Sequence, residues 1–243
     1  MNLLDLLKDL TDGELSALEI GNLIFGEPES EPDPTSYRQL ISHVNLGLKQ
    51  LYKEFFLRSE EHYIQLSAAI STYKLHSDYA QTNTGSPILI ADRYIMDTVD
   101  NPFTDNVLKI EEVYDEEGNK LPLNDVTEDL SIFTPRYNYI QVPYPEDENT
   151  IAVQFRATHP RIVYSGVAFD PSAIEVELPN SLHEALMFYV AAKQFYAIGG
   201  QENILLGDNY FQRYKDSIKI VKDEGLEVQA EPGDWRFDQH GWV

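Results

Sequence analysis

The chain of 243 residues contains no cysteine. That excludes disulfides, thiolate-held metal and iron–sulfur centres, and cysteine nucleophiles, and it leaves noncovalent packing to hold the fold. Positive charge is also scarce, with 18 Lys and Arg against 41 Asp and Glu and a formal charge of −23. Such a balance argues against a protein that grips phosphates, since that binding works through counterions released by a basic surface. Nucleic acid is expected to pass it without sequence-specific binding. The plainer reading of the same charge is an acidic surface that keeps the protein soluble and apart from its neighbours. No apolar run is long enough to span a membrane. The segment Met1 to Leu10 is amphipathic and broken by charge, unlike a basic stretch followed by an apolar one. Synthesis and folding in a cytosol, with no membrane partner, are expected.

Motifs for chemistry are equally sparse. His183-Glu184 begins a zincin-like pattern, but Met187 stands where the second histidine ligand is required. His43, His62, His76, His159 and His240 are scattered without ligand spacing. Asp92, Asp97, Asp100 and Asp105 form an acidic, turn-rich stretch that lacks the calcium-loop spacing and reads as a solvated loop. Glu60-Glu61, Glu111-Glu112 and Glu146-Asp147-Glu148 offer neighbouring carboxylates, but adjacent residues of a strand point to opposite faces. There is no Gly-rich phosphate cradle, no Gly-x-Ser-x-Gly elbow and no kinase set. No catalytic residue, metal ligand or cofactor is therefore nominated, and no enzyme activity is expected.

What the chain does have is aromatic residues in an unusual place. Both tryptophans, Trp235 and Trp242, fall in the last nine residues, together with Arg236 and Phe237, on a Gly/Pro/Asp-marked tail. Such a tail is costly to leave in water, so Trp235, Arg236, Phe237 and Trp242 are the candidate partner interface. The alternative is a lid in which Trp235 and Phe237 fold back on the chain's own helices.

The hydrophobic period is helical at the start, strand-like through the middle and helical again near the end. Thr11 and Glu14 have capping-box spacing, which predicts a short helix running to about Ile20. Gly26 to Pro34 is an acidic loop with three prolines. Tyr37, Leu40, Ile41, Val44, Leu48, Leu51, Tyr52 and Phe55 recur at spacings of three and four and predict a helix that must bury its stripe against others. Strands are predicted around Tyr63 to Leu75, at Val107 to Tyr114, at Lys120 to Leu123 after a Gly-containing turn, and at Tyr137 to Val142 and Ile151 to Ala157. The last two read as a hairpin or meander of half-buried strands in a small antiparallel sheet. Ser181 and Glu184 form a second capping box and start a helix that Gly199-Gly200 breaks. A further helix carries Phe211, Tyr214, Ile218 and Val221 up to a cap at Gly225. The expected fold class is α+β, a helical bundle built from both chain ends with an inserted antiparallel β domain and an extended C-terminal tail. The expected parts are 1–58 and 179–225 (helical), 59–178 (β) and 226–243 (docking tail).

This order of parts resembles the head-to-tail connector (adaptor) proteins that lie under the portal of short-tailed bacteriophages. The resemblance is carried by the helix ending in Leu-Tyr-Lys-Glu-Phe-Phe, by Val-Tyr-Asp-Glu-Glu-Gly-Asn-Lys-Leu, by Leu-Pro-Asn-Ser-Leu-His-Glu-Ala-Leu and by Tyr-Phe-Gln-Arg-Tyr, spread over about residues 37 to 222. It implies a structural virion protein at the head–tail junction: a homo-oligomeric ring, twelve-subunit as is usual in that family, that binds the portal protein, extends the channel for genomic DNA and docks later tail proteins. No catalytic residue carries over. A receptor-binding tail module is the competing expectation, in which Tyr137, Tyr139 and Tyr144 would stack on glycans, although tyrosines on strands more often pair across the sheet.

Overall fold

A computed structural model of the chain describes residues 1–18, 34–166 and 169–226. The acidic loop up to residue 33 and the tail beyond Leu226, with Trp235, Arg236, Phe237 and Trp242, lie outside the described residues. The fold is mixed α and β. Among the described residues it has four α-helices, α1 (Leu3–Asp12), α2 (Pro34–Glu54), α3 (His183–Ile198) and α4 (Gln201–Asp223), and seven strands in two antiparallel sheets. The described residues divide into two compact units, a helical one drawn from residues 1–55 together with residues 159–226, and a β unit of residues 56–158.

In the helical unit, α1 precedes the helix that the Thr11–Glu14 spacing predicts: it ends at Asp12, and beyond it residues 16–18 form only a 3₁₀ turn. Asn2 is the N-cap, its side-chain oxygen accepting from the Asp5 N–H at 2.8 Å, while the Thr11 hydroxyl closes the last turn by donating to the Lys8 carbonyl. Leu3, Leu6, Leu7 and Leu10 are fully buried, each worth about 1.5–3 kcal/mol of burial. All eight stripe positions of α2 from Tyr37 to Phe55 are buried as well. Helix α2 approaches α3 so closely at Gly47 that an added Cβ would stand 2.6 Å from Leu186 Cδ1. Helix α3 is buried around most of its circumference, as expected of a helix that packs on both α2 and α4. It begins where the Ser181–Glu184 spacing places it, but through a 3₁₀ turn at Asn180–Leu182 and without a side-chain cap.

Residues 159–178, assigned to the β part on sequence, belong to the helical unit. The physical reason is long-range hydrogen bonding. The Asn45 side chain holds both backbone groups of Ile162, the Leu3 N–H donates to the Ile174 carbonyl, and the Val176 N–H donates to the Met1 carbonyl.

The β unit contains β1 (Ser59–Gln65), β2 (Thr72–Lys74), β3 (Ile95–Met96), β4 (Val107–Tyr114), β5 (Phe133–Arg136), β6 (Tyr139–Gln141) and β7 (Thr150–Ala157). One sheet has the order β3-β1-β7-β4 and the other β2-β6-β5. The hairpin expected from Tyr137–Val142 and Ile151–Ala157 does not form, because β6 and β7 lie in different sheets. Strand β7 is the centre of its sheet, paired with β1 from Ser59↔Arg156 to Gln65↔Thr150 and with β4 on its other side. Its residues 151–155 are buried on both faces, where half-burial was expected. Lys120–Leu123 forms only isolated bridges, Tyr114↔Lys120 and Leu123↔Ile132, and no strand. One core, including Ile64, Tyr73, Ile95, Val113, Ile140, Val153 and Phe155, serves the whole unit.

Candidate functional site

Helix α4 is stopped firmly before the aromatic tail. Gly225 adopts a φ of 64°, and the Leu226 N–H donates back to the Val221 carbonyl at 3.1 Å, the arrangement of a Schellman cap. The chain thus leaves the helix at a defined point, with Leu226 exposed.

The turn between α3 and α4 is built on Gly199 and Gly200, both at positive φ. Around it Ile198, Ile204, Leu205 and Leu206 are exposed, Leu205 at 62%. Three consecutive apolar residues on a helix spread over about 200° and cannot all enter one core stripe, so part of Ile204-Leu205-Leu206 must face outward. A cluster of this kind at one end of a helical unit suits contact with another protein surface.

Most cations of α3 and α4 lie on aromatic rings. Lys193 stands over Tyr189 at 5.3 Å, Arg213 over Tyr210 at 5.5 Å and Lys215 over Phe211 at 4.8 Å. Lys222 covers Phe55 and pairs with Glu54 at 3.2 Å. Arg213, Lys215, Lys219 and Lys222 fall within ten residues of α4, a local basic stretch in an acidic chain.

The residues with chemical potential fill structural roles. His183 lies in the first turn of α3 with Nε2 3.1 Å from the Leu178 carbonyl oxygen. His159 Nε2 accepts from the Glu177 N–H at 3.2 Å, and its ring meets Tyr52 edge to face. His62 is buried between Phe103 and Phe155, its Nε2 without a hydrogen-bond partner. Burial pushes its pKa down, and Glu60, Asp97 and Glu61 partly oppose that shift. Asp97 accepts from Thr82 N–H and Phe103 N–H, and Asp105 from Ser77 N–H; both fasten the long connection between β2 and β4. Arg93, also buried, donates to the Asn83 carbonyl at 2.5 Å and the Ile88 carbonyl at 3.0 Å in the same connection. Glu112 accepts from the Tyr114 hydroxyl and the Lys120 ammonium, and Glu111 pairs with Lys109 and Arg156. No group of three metal-ligating side chains occurs among the described residues.

No protein-family model matches the chain, and no curated protein is significantly similar to it. Among the described residues no helix is long and apolar enough to cross a membrane.

The three tyrosines considered for stacking do not form one platform. Tyr137 and Tyr144 are exposed and line separate pockets, while Tyr139 lies under the Arg136 guanidinium at 5.2 Å. Tyr73 and Tyr79 both pack on Tyr94, Tyr79 and Tyr94 stacked at 4.7 Å. The larger pocket, about 300 Å³, lies in the β unit and is lined by Tyr144 with Leu66, Leu121, Leu130, Ile132 and Val142. Sequence reasoning missed this pocket because its lining comes from five separate segments. It also missed the exposed apolar cluster beside the α3–α4 turn, although the run Ile204-Leu205-Leu206 was a legible sign.

Proposed function

We propose that the chain is a structural ring subunit of a tailed-phage virion, joining head to tail beneath the portal. The observation that carries this reading is the arrangement of parts: helices from both chain ends form one unit, and a separate β unit is carried between α2 and α3. That is the order on which the resemblance to head-to-tail connectors rests. In this reading the helices assemble as a bundle, about twelve copies close a ring, and genomic DNA passes through an acidic channel extension that does not retain it.

The exposed apolar turn at Ile198, Ile204 and Leu205 supplies contact area to a neighbouring subunit or the portal. The tail with Trp235, Arg236, Phe237 and Trp242 acts as a docking arm that leaves α4 at its cap. Later tail proteins dock on the assembled ring, and the subunit's role is structural, without catalysis.

The test is co-sedimentation of the full chain, and of a chain ending before Glu231, with purified portal rings. Co-migration of the full chain and loss of it in a truncated chain of unchanged melting temperature supports the docking arm. Equal co-migration of both removes the arm from the account, and co-migration of neither overturns the connector reading.

A glycan-binding tail module is the second reading, favoured by one observation: the exposed Tyr144 ring shares its pocket with Asn149 and Thr150, polar groups suited to sugar hydroxyls.

A further inference from the structure

The pocket of about 300 Å³ in the β unit has an apolar floor and an acidic rim. Ile132 and Val142 are buried beneath it, while Leu130 and Tyr144 stand at its mouth with 65% and 69% of their surface exposed. Asp115, Glu116 and Glu117 line one side. The segment that supplies Leu130 also carries Glu128 and Asp129, and the one that runs from Tyr144 to Asn149 carries Glu146, Asp147 and Glu148. Val126, on the same segment as Leu130, adds a further apolar side chain at 87% exposure.

Some of these carboxylates hold the rim in shape. Asp115 accepts from the Asn119 N–H at 2.8 Å, Glu116 from the Thr150 N–H at 2.5 Å, and Asp147 from the Ala68 N–H at 2.8 Å. None of them is paired with a Lys or Arg among the described residues. A rim fixed by backbone donors and left without cations keeps its full negative field over an apolar opening. An aromatic or aliphatic side chain would gain from the floor, and flanking ammonium or guanidinium groups would gain from the rim.

We propose that this pocket is a docking site for a basic polypeptide segment of a partner protein, which inserts one apolar or aromatic residue between Leu130 and Tyr144 and places its Lys or Arg residues against the acidic rim. The proposal goes beyond the connector reading and stands without it, because the site lies wholly within the β unit of one chain. The rim repels the acidic surfaces that dominate a second copy of this chain, and the apolar floor distinguishes the site from a merely solvated acidic face.

The experiment uses the full-length protein and fluorescein-labelled twelve-residue peptides with one central Leu or Trp flanked by four Lys. Two controls replace the Lys by Glu, or the central residue by Ser. Fluorescence anisotropy at low and moderate salt reads affinity, and each variant's circular dichroism confirms that it folds. The proposal expects saturable binding of the basic apolar peptide alone. That binding should weaken with salt, fall at least tenfold in Leu130→Asp, and fall severalfold in the variant Glu117→Lys/Glu128→Lys, whose two positions are exposed. Binding that is absent, that survives Leu130→Asp unchanged, or that is equal for the Ser-centred control would overturn it. Displacement of a bound peptide by a neutral oligosaccharide such as maltohexaose, with direct saccharide binding lost in Tyr144→Ala, would also overturn it and assign the pocket to carbohydrate.

Discussion

The side-chain amide of Asn45 makes two hydrogen bonds to the backbone of Ile162, donating to its carbonyl at 2.9 Å and accepting from its N–H at 2.9 Å. The donating amide also reaches the Ile41 carbonyl of its own helix at 3.0 Å. One side chain of α2 thereby satisfies both polar groups of a residue 117 positions away that belongs to no strand or helix. This pairing ties the irregular segment after the β unit to the helical unit.

Replacing Asn45 by Leu leaves the Ile162 N–H and C=O without partners and should destabilise the helical unit by about 1–3 kcal/mol. Urea unfolding followed by circular dichroism measures the loss, and hydrogen exchange at Ile162 locates it. Unchanged protection at Ile162 would mean that the pairing does not hold the segment.

Gly47 gives the sharpest test of the packing between α2 and α3. Glycine inside a helix ordinarily costs about 1 kcal/mol relative to alanine, so Gly47→Ala would stabilise an open helix. Here the new Cβ would meet Leu186 at 2.6 Å and Tyr189 at 3.1 Å, and Leu186 is fully buried, so its side chain would have to shift within the packed core. The expected outcome is a net loss of about 1–3 kcal/mol, read from the thermal or urea midpoint. A gain in stability would contradict the close approach.

His62 predicts an acid-labile β unit. Burial lowers its pKa from the ordinary 6.5, so the folded state resists a proton that the unfolded chain takes up. Above about pH 6.5 both states hold neutral imidazole and stability is unaffected; as pH falls below that value the unfolded state gains, and stability declines. His43 and His183, also shifted downward by burial, act in the same direction in the helical unit. His62→Phe should flatten the decline of the β unit's melting temperature between about pH 6.5 and 5, a window above most carboxylate titration. An unaltered pH profile would show that His62 is not the group responsible.

Arg93 fastens the connection from β2 to β4 through three N–H donors on two carbonyls. A lysine at that position carries the charge but lacks the planar fork. Arg93→Lys should therefore behave like Arg93→Met, with faster proteolysis between about residues 77 and 106. Full protection in the lysine variant would reduce the contact to simple charge.

The parts of this fold that were legible in the sequence are those set by local periodicity. The stripe from Tyr37 to Phe55 predicted α2 because three- and four-residue spacing has no other ready explanation, and the Gly199-Gly200 break and the Gly225 cap were legible because backbone conformation demands those residues. Long-range pairing was not legible. Nothing local tells that β7 pairs with β1 some ninety positions earlier, with Ser59 opposite Arg156, or that β6 leaves for a second sheet. The Thr11–Glu14 spacing misled because a chain with 41 acidic residues matches a capping box by coincidence, while Asn2, the actual cap, lies one residue from the chain start. Segment 159–178 carries no period at all, and its place is set by Asn45 and by the backbone of residues 1 to 3. The nominated interface at Trp235, Arg236, Phe237 and Trp242 rests on composition alone.

The measurement that tests the central claim most directly is the mass and image of the full chain mixed with purified portal rings from the same virus, by light scattering and negative-stain microscopy. The account predicts a discrete added ring on one portal face, with a mass increment of about twelve chains of 27.8 kDa. A folded, intact chain that leaves the portal's mass and outline unchanged would contradict it.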